Sequence, residues 1–214
     1  MRAADIKLLF SFLIFLFLAG CSKPPEVSEV SQTAVNPSYP PLQKQYTGTQ
    51  VFTKQFPGAD FTIRPLQSYE VSARVVSKKN YGYWTWQGRL APVDLALAWE
   101  ELSKPHYVKF VSFSQRSRWY YFRLKSDAPF DTGFVYERSS NNHIIPHNDN
   151  VLRALRRVRK NNIIKLAGYL VRVDGKWNGR AVWWQSSTSR SDTGDGSCEV
   201  IYATSLQKKD KIYR

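Results

Sequence analysis

Polar and apolar positions alternate strictly from Tyr69 to Val75. Tyr69, Val71, Ala73 and Val75 fall on one side, and Glu70, Ser72 and Arg74 on the other. A period of two predicts a half-buried strand. Residues 107–113 and 118–124 predict two more strands joined by a hairpin turn at 114–117. Residues 163–173 are apolar on both faces and rich in β-branched side chains, the pattern of a central strand. A glycine-punctuated turn at 174–179 leads to strands at 180–186 and 198–203. In two places the period lengthens to 3.6. Residues 92–102 put Leu95, Ala98, Trp99 and Leu102 on one face with Pro92 in the first turn, which predicts a short helix. Residues 150–160 put Val151, Leu155 and Val158 on one face and Arg153, Arg156, Arg157 and Lys160 opposite. Asn148, Asp149 or Asn150 can cap this helix, and its cations suit the C-terminal end of the dipole.

Many short strands with two helices predict one strand-rich domain, α+β or mainly β, over residues 49–204. The order strand, hairpin, helix, strand, strand resembles an oligonucleotide/oligosaccharide-binding (OB) barrel. A resemblance of topology implies little about function. The flanks read differently. Residues 21–48 are rich in Pro, Ser, Thr and Gln and predict a flexible tether. Residues 205–214 predict a charged, frayed tail.

The N-terminus carries an address. Arg2 and Lys7 precede eleven residues, 8–18, that are apolar except for Ser11. That is about half the length a helix needs to span a bilayer, and it matches a signal-peptide core. Leu18-Ala19-Gly20-Cys21 follows and resembles the lipobox of bacterial lipoproteins. The resemblance covers residues 1–21. It implies removal of residues 1–20, acylation of Cys21 and anchoring through several acyl chains. Ser22 after the cysteine implies, by enteric-type sorting, the outer membrane, with the domain facing the periplasm.

Charge narrows the partners. The whole chain has 31 basic and 17 acidic residues. Without Arg2, Asp5 and Lys7 these become 29 and 16, a net +13. Such a field favours anionic partners: an envelope polymer, an envelope protein or a headgroup surface. Nucleic acid fits an exported chain only within DNA-transfer machinery. The basic face of Arg153, Arg156, Arg157 and Lys160 is the candidate contact, and a merely solvated face is the competing reading.

Catalytic signals are weak. His143 and His147 are four apart, but Pro146 intervenes and no Glu follows His143, so the zinc-protease pattern is absent. Residues 192–196 alternate oxygens with glycines yet lack the closing Glu of an EF-hand loop. Neither metal nor cofactor is expected. The remaining candidates for binding or catalysis are His143, Arg190, Asp192, Cys198 and Glu199. A guanidinium fork at Arg190 can clamp an anion or tie to Asp192. Cys198 with His143 as base, beside Arg190, would make a hydrolase or thiol enzyme. Residues 141–199 resemble a domain of uncharacterised bacterial envelope proteins, a resemblance that implies no activity. The leading expectation is a non-enzymatic binding or assembly factor, with the thiol enzyme as the alternative.

Overall fold

A computed structural model describes residues 23–189 and 198–214. In chain order the elements are β1 (Glu29–Val30), β2 (Leu42–Gln45), β3 (Phe52–Phe56), β4 (Ala59–Asn80), α1 (Trp86–Leu90), β5 (Val93–Ala98), a 3-10 turn (Glu100–Ser103) and α2 (Pro105–Val108). They continue with β6 (Val111–Arg116), β7 (Trp119–Leu124), α3 (Thr132–Glu137), β8 (Ser139–Pro146), α4 (Asp149–Arg156), β9 (Ile163–Trp177), β10 (Arg180–Gln185), β11 (Glu199–Lys208) and β12 (Lys211–Tyr213). The expectation of one strand-rich domain, α+β or mainly β, holds.

Five strands close on themselves. β4 pairs with β5, β5 with β8, β8 with β11, β11 with β9, and β9 with β4. Only the β8–β11 pair in this ring is parallel, and α4 connects β8 to β9. This is the plan of an OB barrel. Its interior holds Val71, Ala73 and Val75 from β4, Leu95 and Leu97 from β5, Ile144, Ile164, Leu166, Ile201 and Leu206. Helix α4 plugs one end with Val151, Ala154 and Leu155, and Val158 just beyond it adds to the plug, all buried. Burying each Val or Leu there contributes about 1.5–3 kcal/mol. Asn148 caps the helix, its Oδ1 accepting from Val151 N–H at 3.0 Å.

Two coverings lie on the outside of the barrel. β4 is 22 residues long and β9 is 15, and both outrun the ring. With β3 and β10 their free ends form an overhang. It packs Phe61, Ile63, Val173 and the rings of Trp86 and Trp184 over Ile145, Val200 and Tyr202. The β6–β7 hairpin and α3 cover Ala96 and Ala98 of β5. Tyr120 and Phe122 of the aromatic run face that second cluster, while Tyr121 is exposed.

Four readings are corrected. Residues 93–98 form strand β5, not a helix, and are buried on both faces. Spacings of four share a face in either geometry, so Leu95 and Trp99 did not discriminate. The predicted tether is docked from Glu26 onward, where its backbone bonds the Asn150 side chain. β1 pairs with β12, β2 pairs with β4, and Glu100 N–H donates to Pro37 C=O. Such a segment needs no core of its own, because it borrows backbone partners at sheet edges. The predicted tail instead completes β11 and returns as β12 through a turn with Lys209 at φ 56°. The hairpin turn sits at Ser117-Arg118, both at positive φ, rather than at 114–117.

Candidate functional site

A polar seam runs where the two coverings meet on the outer face of β5 and β8. Asp94 and His143 are register partners there and alternate with the inward Leu95 and Ile144. Asp94 is fully buried. His143 Nδ1 lies 3.0 Å from its Oδ2, and Arg118 Nη1 donates to its Oδ1 at 2.7 Å. Arg118 reaches in from the hairpin turn. Its guanidinium also donates to Ala91 C=O at 2.8 Å and sits 3.6 Å from the centre of the Tyr81 ring. Trp184 of the overhang closes the seam, its ring 4.6 Å from that of His143. Burial, and then the charge of Asp94, push the Tyr81 hydroxyl up to about 12. The phenol therefore stays neutral beside the carboxylate.

Asn141 extends the seam toward Cys198. Its side chain accepts from Gln115 at 2.8 Å, donates to Arg118 C=O at 2.7 Å and lies 3.7 Å from Cys198 Sγ. Cys198 is half-buried and lies two residues before Val200, the register partner of His143. Thiol and imidazole thus face the same side of the sheet. Glu199 is buried and in register with Asn142. His147 turns elsewhere and meets the Tyr202 hydroxyl at 2.9 Å. Cys21, Arg190 and Asp192 lie outside the described residues. Asp94 and Arg118 are the members that sequence reasoning missed. The signal for Asp94 was one carboxylate inside the apolar run 92–98.

The second feature is a cationic pole at the C-terminal end of α4. Arg156, Arg157, Arg159 and Lys160 are all exposed. Lys208 joins them, its Nζ 3.4 Å from Arg157 C=O, with Lys209 beside it in the β11–β12 turn. Lys78 lies beneath and donates to the carbonyls of Leu155, Arg156 and Val158 at 2.8–2.9 Å. Burial, then Arg156 and Lys208, lower its ammonium to about 8. Burial, then Arg159 and Lys209, lower Lys208 as well.

The helix dipole does not account for this concentration. Its C-terminus carries about half a negative charge, which one cation offsets, and Lys78 already fills that role. Among the described residues none of Arg156, Arg157, Arg159, Lys160, Lys208 and Lys209 makes an ion pair, and Asp210 is the acid in their turn. Arg153 departs from the expected face. It lies in the last turn of α4 but is half-buried, its guanidinium turned back to Asn150 at 3.4 Å.

A cavity of about 300 Å³ opens beside the pole, lined by Lys54, Phe56, Tyr83, Arg89, Leu152 and others. Arg156 bonds the Tyr83 hydroxyl and so joins cavity to pole. Comparison with protein-family models, curated proteins and solved structures returns no match.

Proposed function

We propose that this chain is a lipid-anchored envelope protein, held at the outer membrane with its domain in the periplasm. It binds an anionic envelope partner and performs no chemistry. The observation that carries the reading is the cationic pole. Six exposed or half-exposed cations crowd one end of the barrel without ion pairs among the described residues. Their mutual repulsion is sustained in the folded state, and an anionic partner would relieve it. The Leu18–Cys21 motif supports the anchor. The test is co-sedimentation with isolated cell envelopes. Arg156→Gln, Arg157→Gln, Arg159→Gln and Lys160→Gln together should lose salt-sensitive binding at unchanged melting temperature. Undiminished binding of that variant would reject the reading.

One observation favours a thiol enzyme as a second reading. His143, 3.0 Å from Asp94, shares a sheet face with Cys198. Fast alkylation of Cys198 in the folded chain, abolished by His143→Gln, would support it.

A further inference from the structure

We infer that the anionic partner of the cationic pole is the phospholipid surface of the membrane that anchors the chain. The domain therefore lies with the C-terminal end of α4 against the headgroups. This inference rests on the anionic-partner reading and names the partner.

Three observations lead to it. The first is where the chain enters. Glu26 N–H donates to Asn150 Oδ1 at 2.7 Å, and Asn150 donates back to Glu26 C=O at 2.9 Å, at the start of α4. Cys21 is five residues earlier, at most about 18 Å of extended chain. Helix α4 has eight residues, about 12 Å of axis. An acylated Cys21 thus holds the pole within roughly 30 Å of the bilayer by these lengths. The docked N-terminal segment removes the long leash that would let the domain stand away.

The second is the approach of β1. It runs beside β12 toward the cations, with Val30 in register with Lys211 and Ser31 N–H bonded to Asp210 C=O. The third is apolar surface along the same segment, with Val30 at the β11–β12 turn and Val27 nearer the start of α4. Val27 and Val30 on this segment are 44% and 57% exposed. Exposed valines next to arginines and lysines suit a headgroup boundary, where apolar side chains enter and cations stay among phosphates. A soluble polyanion offers the cations a partner but gives the valines none.

Each cation near an anionic membrane strengthens its attraction by roughly five-fold. Neutralising four should weaken the contact by roughly 600-fold on the same basis.

The test is lysine footprinting of the purified full-length chain on vesicles, read by mass spectrometry. One set contains roughly one third phosphatidylglycerol in phosphatidylcholine, and the other is phosphatidylcholine alone. On the anionic vesicles Lys160 and Lys209 should acylate about ten-fold more slowly, and salt at about 0.5 M should reverse the protection. Lys44 and Lys125, exposed on other elements, should keep their rates. The four-glutamine variant should show no protection at Lys209. Equal rates at Lys160 and Lys209 on both vesicles would overturn the inference. If the variant also lost binding to whole envelopes, the anionic-partner reading would stand with a wall polymer or protein as partner. If it kept that binding, both would fall.

Discussion

Replacing Arg118 with Met removes the pin between the β6–β7 hairpin and the barrel. Asp94 has no solvent exposure and the Arg118 side chain is 18% exposed, so this pair is largely dry. Removing one partner of a buried pair costs about 3–5 kcal/mol, because the other charge stays buried without compensation. Arg118 also satisfies Ala91 C=O and packs on Tyr81, so the upper half of that range is expected. For a domain of this size about 1 kcal/mol moves the melting temperature by 2–4 °C, which gives a drop of roughly 10–15 °C on that scale. The companion variant is Asp94→Asn with Arg118→Met. Without the carboxylate the buried charge disappears, and the double variant should recover at least about 2 kcal/mol relative to the sum of the singles. Differential scanning calorimetry gives the stabilities. Hydrogen exchange gives location, and amides of 111–124 should open before those of β9. A melting temperature within about 2 °C of wild type, or additive single effects, would refute the view that this pair holds the covering closed.

Lys78 titrates near 8 when folded and near 10.4 when unfolded. Between those values the unfolded chain binds the extra proton, so stability should rise from pH 8 to pH 10. Lys78→Met should lose that rise in chemical denaturation. Cys198, half-buried beside Asn141, should react with a maleimide more slowly than a denatured control, and an equal rate would contradict its packing. Gly168→Ala should destabilise by more than about 2 kcal/mol. Its Cβ would come within 2.0 Å of Tyr202 C=O where β9 crosses β11, and urea unfolding reads the loss.

Much of the barrel was legible, and the reason is periodicity. β4, β9 and α4 each carry a long, one-sided or two-sided apolar pattern that a single covering explains. β5 was misread because it is buried on both faces. Its inner face meets the barrel interior and its outer face meets a hairpin that lies distant in sequence. No local period survives such an environment. The N-terminal strands were missed because their stabilisation is backbone pairing at an edge, which leaves no hydrophobic signature. The site was only half legible for a related reason. His143 stood out as a histidine among polar residues. Asp94 and Arg118 acquire meaning only when the hairpin turn brings a guanidinium onto the barrel. Lys208 and Lys209 read as tail residues until β12 folds back and sets their turn beside the end of α4.

The most direct test of the binding claim is photo-crosslinking in intact cells from a probe at Arg159. A matched control probe sits at Trp183, an exposed side chain on the overhang. Ultraviolet-dependent adducts with phospholipid or another anionic envelope component are expected from position 159 and none of these from position 183. Equal capture from both positions, or capture from 183 alone, would contradict it.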